Sequence, residues 1–300
     1  TSATLTRTSH AELALVAGRS LRVLHFRIRN LGVGRPAHRT NLLAFLECTC
    51  VVGAARVVCH LHEDDVHVAV FDRTDFFTAR EFPFDRKYDR IVAISRSGTT
   101  TETRELLQQS KIPSVSITAV PDSPIAKLST SAIVMPFADE QSVVQTRWAT
   151  AALGLLRMSL GFDLLSIVKD AELAIDENIS GLLDVEQITF IGNGWTIGLA
   201  QEAALKTREA AQFWSEAYPA FDYRHGPMSI AQKGRAVWAF GSIDQDLAND
   251  INKTGALFES SKLDPMAHVI KAQRVAIALG KKRGLNPDEP RGLSRSVILN

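Results

Sequence analysis

The chain has 300 residues, 45% apolar and 22% charged, with a formal net charge of +1. That is enough apolar material for one large or two ordinary globular domains, and the absence of a basic, aromatic-interleaved stripe argues against nucleic acid as a partner. No apolar run approaches the ~20 residues of a membrane span. The N-terminus shows no secretory pattern. Cys48, Cys50 and Cys59 are an odd count with no disulfide framework, so a reduced, cytoplasmic protein is expected.

Residues 1–18 read as a short helix or arm. A strand over 21–34 ends in the glycine turn Gly32-Val33-Gly34, residues 41–47 read as a helix, and the β-branched runs over 51–59 and 66–71 read as strands. From Arg90 the order becomes regular. A strand over 90–95 leads to a helix over 100–109, a strand over 115–120, a short helix over 124–128 and a strand over 132–136. A long helical pattern over 142–160 closes at Gly161, and a helical connector spans 163–179. A strand over 187–191 ends in Gly192-Asn193-Gly194, and a helix over 196–211 starts at once. A strand over 235–241, a helix over 244–260 and a final helix over 265–282 precede the tail.

Strands that alternate with helices and are built from near-continuous apolar runs predict an α/β fold with parallel sheets covered on both faces. The order strand, glycine turn, helix occurs twice, with Gly98 and Gly194 96 residues apart, about one small domain. Two units of similar plan are expected, over 1–161 and 162–300.

In Ile94-Ser95-Arg96-Ser97-Gly98-Thr99-Thr100-Thr101-Glu102, an apolar strand runs into hydroxyls and a glycine and then a helix. A helix N-terminus has unpaired N–H groups and a partial positive charge, which suits an anion such as phosphate. Ser and Thr in ordinary capping roles explain the same residues equally well. Glu202, Lys206 and Glu209 fall on one helix face by their spacing. They fit either a ligand site at a strand end or a solvated face with an i,i+4 pair. His225 stands before Gly226-Pro227 in a turn, where it is either a general acid/base or incidental. The cluster Cys59-His60-Leu61-His62-Glu63-Asp64-Asp65-Val66-His67 matches no standard zinc spacing, and its acidic residues suit a solvated turn. No metal and no cofactor are expected.

Taken together these residues resemble the SIS (sugar isomerase) family. The stretch from Ser95 to Thr100 resembles its Ser-x-Ser-Gly-x-Thr phosphosugar loop. Glu140-Gln141-Ser142-Val143-Val144-Gln145-Thr146-Arg147 resembles its next element. Glu202-Ala203-Ala204-Leu205-Lys206-Thr207-Arg208-Glu209 and Arg224-His225-Gly226-Pro227 are similar to its second domain, and Pro290-Arg291-Gly292-Leu293-Ser294-Arg295-Ser296-Val297 to its C-terminus. Five motifs in family order make the resemblance specific from Arg90 to the end. It extends to the isomerase half of glucosamine–fructose-6-phosphate aminotransferases and to stand-alone tandem-SIS isomerases of amino-sugar phosphates. The glutaminase half and its N-terminal cysteine are not matched, since the sequence begins Thr1-Ser2.

The resemblance implies two flavodoxin-like SIS units and aldose/ketose isomerisation of an amino-sugar 6-phosphate through an enediol. It implies that Ser95, Arg96 (through its backbone), Ser97 and Thr100 hold the phosphate, and that Val143 and Gln145 line the sugar chain. Glu209 is the implied base between C1 and C2. Lys206 is the implied partner of the developing enediolate or of an open-chain hydroxyl, Glu202 on the same helix face an implied substrate-binding residue, and His225 from a neighbouring subunit of a homodimer the implied ring opener. Ser294 and Arg295 fall where the family's tail closes over the sugar, with Arg295 in place of lysine. Three departures stand out. Gly32-Val33-Gly34 is followed by Arg35-Pro36-Ala37 rather than Thr-Ser, closing strands near 260–265 are expected to be missing, and Asp222 replaces glutamate. Deamination or deglycation by the same chemistry, and a sugar-phosphate sensor without turnover, are the alternatives.

Overall fold

The structure, a computed structural model, describes residues 51–55, 61–62, 65–66 and 74–299. The elements expected over 1–47, the Gly32-Val33-Gly34 turn, and Cys48, Cys50, Cys59, His60 and His67 lie outside those residues, as does most of the 66–71 strand. The strands are β1 (Val51–Ala55), β2 (Leu61–His62), β3 (Asp65–Val66), β4 (Thr74–Thr78), β5 (Arg90–Ile94), β6 (Ser114–Thr118), β7 (Ser131–Val134), β8 (Gln187–Gly192), β9 (Ser215–Pro219), β10 (Arg235–Phe240) and β11 (Leu257–Glu259). The helices are α1 (Thr101–Gln109), α2 (Pro124–Leu128), α3 (Arg147–Ser159), α4 (Leu164–Asp176), α5 (Thr196–Ala211), α6 (Ala220–Tyr223), α7 (Gln245–Lys253) and α8 (Pro265–Lys282).

Two sheets carry this α/β fold. The first has the order β4-β1-β5-β6-β7, and the second the order β11-β10-β8-β9. The second is parallel throughout, and in the first β5, β6 and β7 are parallel. β1 departs from the pattern, since it runs antiparallel to both β4 and β5, with Val51 opposite Ile94.

Alternation along the strands sends side chains to two separate layers, as a parallel sheet covered on both faces requires. Ile91 and Ala93 pack with Leu106, Leu107 and Ile125 from α1 and α2, while Ile94 points to the other side. In the second sheet Val237 and Ala239 meet Tyr223, Leu247 and Ile251, whereas Ile188, Phe190, Trp238 and Phe240 face α5 and α8. One core joins the inner faces of both sheets through α3, α5 and α8. Each large side chain buried there contributes about 1.5–3 kcal/mol. α5 and α8 approach so closely that a Cβ on Gly280 would sit 2.3 Å from the Ala210 carbonyl oxygen.

Several elements differ from expectation. The helix expected over 142–160 begins at Arg147, because the Glu140 carboxylate accepts the N–H groups of Thr146, Arg147 and Trp148 and sets the start there. The helix expected over 244–260 stops at Lys253, because Gly255 takes φ +79, a left-handed conformation that ends the helix. Leu257–Glu259 then pairs in parallel with β10, so the second sheet does have a closing edge strand, of three residues. β9 and β4 were not expected. β9 is a half-buried edge whose Ser-Glu-Ala-Tyr-Pro sequence carries little apolar signal.

Candidate functional site

β5 leaves the first sheet at Ser95, and the loop that follows is tied to β6 by Ser95 N–H donating to Ile117 O and Ala119 N–H donating to Arg96 O, both at 3.0 Å. Gly98 takes φ +62, and a Cβ there would stand 2.1 Å from Ser123 Oγ, so only glycine permits this turn. Ser95 Oγ accepts from Gly98 N–H at 3.1 Å and lies 3.2 Å from Thr100 Oγ1. Ser97 Oγ accepts from the Thr99 hydroxyl at 3.0 Å. Ser95, Arg96, Ser97 and Thr100 are all buried. Thr100 precedes α1 without making a side-chain cap. The hydroxyls are therefore bonded to one another rather than to the first turn of the helix, which favours an anion seat over simple capping.

The C-terminal tail lies over this loop. Thr101 N–H donates to Val297 O at 3.3 Å, and Leu299 N–H donates to Thr101 Oγ1 at 2.9 Å. Ser296 Oγ stands 2.8 Å from Thr99 Oγ1 and accepts from Ser97 Oγ at 3.2 Å. The Arg96 guanidinium donates to Ser142 O at 2.7 Å and Arg295 O at 3.1 Å. Arg295 makes a bidentate ion pair with Asp139, at 2.5 and 2.7 Å, and donates to the Glu140 carbonyl. Val143 N–H donates to Asp288 O at 3.0 Å. Loop, tail and the segment before α3 thus form one connected surface.

On α5, the helix face read as either a ligand site or a solvated face is buried. Lys206 is 2% exposed and Glu202 5%. Lys206 Nζ lies 2.6 Å from Glu209 Oε2 and 3.7 Å from Glu202 Oε1. Burial pushes the Glu202 carboxyl up to about 7; Lys206 opposes the rise, and the charges of Glu209 and Glu140 add to it. Glu140, whose carboxylate caps α3, therefore connects the charged group on α5 electrostatically to the segment that Arg295 and Arg96 grip.

Most of the expected site residues converge here. Ser95, Arg96, Ser97, Thr100 and Arg295 meet through hydrogen bonds, and Glu202, Lys206 and Glu209 form the buried charge group. Val143 and Gln145 are half-buried in the turn that Glu140 organises rather than on a helix. The Ser294 hydroxyl donates to Ser296 O and is directed at its own tail. His225 stands apart. It is exposed in the turn after α6, and among the described residues no hydrogen bond or ion pair joins its side chain to Lys206, Glu202 or Glu209. Asp139, the Glu140 carboxylate and Ser296 were not singled out as site residues. An acidic pair a few residues before an apolar helix is a signal that points to Glu140, besides its place at the start of the Glu140–Arg147 motif.

Among the described residues, Glu177, Glu259 and His268 have the spacing of a metal-binding group. The Lys271 ammonium already bridges it, 3.0 Å from Glu177 and 2.6 Å from Glu259. Trp238 Nε1–H donates to His268 Nδ1, so the other ring nitrogen donates to Glu259. Lys271 and Trp238 thus already engage this group as an internal ion network.

The chain matches no protein-family model. In sequence it is similar to the isomerizing glutamine–fructose-6-phosphate aminotransferase of Sulfolobus acidocaldarius, 29% identical over 254 residues that cover 71% of this chain and 43% of the relative. The Streptococcus mutans enzyme of the same name is 27% identical over 270 residues, covering 72% of this chain and 45% of the relative. The chain thus spans less than half the length of these curated relatives. In fold it is similar to a glucosamine-6-phosphate deaminase from Thermotoga maritima, with a TM-score of 0.61 and 23% identity over 73% of this chain and 78% of that one. It is also similar to the C-terminal domain of glucosamine-fructose-6-phosphate aminotransferase from Francisella tularensis, with a TM-score of 0.58 and 21% identity over 71% of this chain and 77% of that one. The chain is homologous to isomerizing aminotransferases over less than half of their length, and it has the α/β fold of these solved sugar-phosphate proteins.

Proposed function

We propose that the chain is a sugar-phosphate isomerase that interconverts aldose and ketose forms of an amino-sugar 6-phosphate, built as two SIS-type units over 1–161 and 162–300. The observation that carries this is the buried Lys206–Glu209 pair, 2.6 Å apart, on a helix linked through Glu140 to the anion loop. Isomerisation needs a carboxylate to take a proton from the carbon next to a carbonyl and a cation to hold the oxyanion that results. In this reading Glu209 takes the proton from C2 of the open-chain aldose and returns it to C1, and Lys206 stabilises the enediolate between the two steps. Ser95, Ser97, Thr100 and the backbone at Arg96 hold the phosphate, whose binding energy positions the reacting carbons. Val143 and Gln145 line the sugar chain.

His225 is assigned ring opening in the site of a partner copy, which makes a homodimer part of the proposal. Its exposure, away from Lys206 and Glu209 of its own chain, supports that assignment. No helix among the described residues is long and apolar enough to cross a membrane, and a cytoplasmic location goes with the reading. The Glu202 and Arg295 side chains shape the charge around the site rather than taking the proton.

The test is incubation of the pure protein with glucosamine 6-phosphate, fructose 6-phosphate and a panel of hexose phosphates, with and without ammonia, while sugar phosphates and free ammonia are quantified. Interconversion of an aldose and a ketose phosphate of equal nitrogen content, such as glucose 6-phosphate and fructose 6-phosphate, without ammonia release supports the isomerase. Ammonia release replaces it with a deaminase of the same chemistry. Tight binding with neither product makes the protein a sensor.

A further inference from the structure

Between α3, α5 and α8 lies a small cavity of about 10 Å³, lined by Glu202 and Gln273 and walled by Leu153, Leu199, Met266 and Val269. The two polar side chains are 5% and 6% exposed. Among the described residues, neither oxygen of the Glu202 carboxyl nor the Gln273 Nε2 has a hydrogen-bond partner. Buried polar groups are almost always satisfied, so a carboxyl and an amide N–H left open on one cavity point to a third party between them. Thr150 also lines the cavity, but its hydroxyl donates to its own helix, to Thr146 O and Arg147 O.

The chemistry of the two open groups selects the occupant. Gln273 Nε2 offers a hydrogen, and Glu202 in its charged form offers lone pairs. The occupant must therefore accept from one side and donate to the other. An ammonium ion has no lone pair to accept with, and a metal cation has no hydrogen to donate. The volume is that of a single water, which needs roughly 10–15 Å³. We propose that this cavity is an internal site for one water molecule that accepts from Gln273 and donates to Glu202, which makes Gln273 a positioning residue for the Glu202–Lys206–Glu209 group. The catalytic side of this inference rests on the isomerase reading above; the water site does not.

The charges that bear on Glu202 are Lys206 and Glu209 from its own helix and Glu140 from the segment before α3. α8 contributes Met266, Val269 and Gln273 to the cavity and no charge, and α3 contributes Ala149, Thr150 and Leu153 and none. The bridged amide is thus the one neutral group on α8 that favours the charged carboxylate from that side. With the bridge in place Glu202 keeps a hold on Lys206, and without it Lys206 turns wholly to Glu209.

Infrared difference spectra across a pH titration read Glu202 directly, its protonated carboxyl band identified by its loss in Glu202→Gln. In Gln273→Met, similar in length but without the donor, the midpoint of that band is expected to rise by about one pH unit, ~tenfold in proton affinity. Val269→Leu adds a methylene at the cavity wall, leaves both polar side chains in place, and should raise the midpoint in the same direction by excluding the water. A midpoint unchanged in Gln273→Met overturns the bridge. A midpoint that moves in Gln273→Met but not in Val269→Leu overturns the water and leaves a direct contact. Should Gln273→Met fail to fold, Val269→Leu alone decides, by shift or no shift. None of these readouts needs turnover, so failure here and failure of the isomerase reading are separate results.

Discussion

The Lys206 ammonium stands 2.6 Å from a Glu209 carboxylate oxygen, and both side chains are almost wholly buried. The base and the cation assigned to the reaction therefore neutralise one another inside the protein before any substrate arrives. A buried pair of this kind is a poor device for stability, since desolvation offsets its attraction. Its removal from one side is still severe. Lys206→Met leaves the buried Glu209 carboxylate without its cation and lets the Glu202 carboxyl rise further, and we expect a loss of about 3–5 kcal/mol in urea unfolding at neutral pH. Adding Glu209→Gln should recover part of that loss.

Glu202 couples folding to pH. Its carboxyl stands at about 7 in the folded chain against an ordinary 4.5, because burial disfavours the charge. The folded state therefore holds a proton that the unfolded state releases, and stability is full below the ordinary value and falls as pH rises through about 7. Glu202→Gln lacks this dependence. Relative to that variant, the wild-type chain should lose roughly 3 kcal/mol between pH 4.5 and pH 8, read from denaturant midpoints, with the two curves converging in acid.

The tail holds groups that an anion would use. Ser296 bonds the hydroxyls of Ser97 and Thr99, and Val297 O takes the Thr101 N–H. Ser296→Ala frees two loop hydroxyls at the cost of about 1 kcal/mol of hydrogen bonding. Inorganic phosphate should then bind about fivefold more tightly in calorimetry. Weaker binding would make the Ser296 hydroxyl a ligand rather than a competitor.

Gly98 combines a left-handed φ with a Cβ position occupied by Ser123 Oγ. Gly98→Ala forces both strain and a clash, so we expect a loss of about 1–3 kcal/mol in stability and at least tenfold weaker phosphate binding, measured on the same samples.

The residue types around the anion loop were legible because a strand end, a glycine and a run of hydroxyls are contiguous in the chain. The spacing of Glu202, Lys206 and Glu209 was equally plain. Their burial was not, because the residues that cover them come from Glu140 and α8, about sixty residues away on either side in sequence. The helix start at Arg147 depends on a carboxylate seven residues earlier, which periodicity does not register. β11 was absorbed into a helix because three residues after a glycine show no period of their own. The tail holds Thr101 through its own backbone, the Val297 carbonyl and the Leu299 N–H, which no side-chain pattern in the tail could mark.

Isomerisation by an internal carboxylate leaves an isotopic trace even where net conversion is slight. The wild-type protein in deuterium oxide with fructose 6-phosphate should place solvent deuterium on C1 of the ketose or C2 of the aldose, followed by proton NMR, and Glu209→Gln should slow this by about 10³-fold with binding unchanged in calorimetry. Binding of the sugar phosphate without any deuterium entering either carbon, or incorporation that persists undiminished in Glu209→Gln, would contradict the assignment of Glu209 as the base.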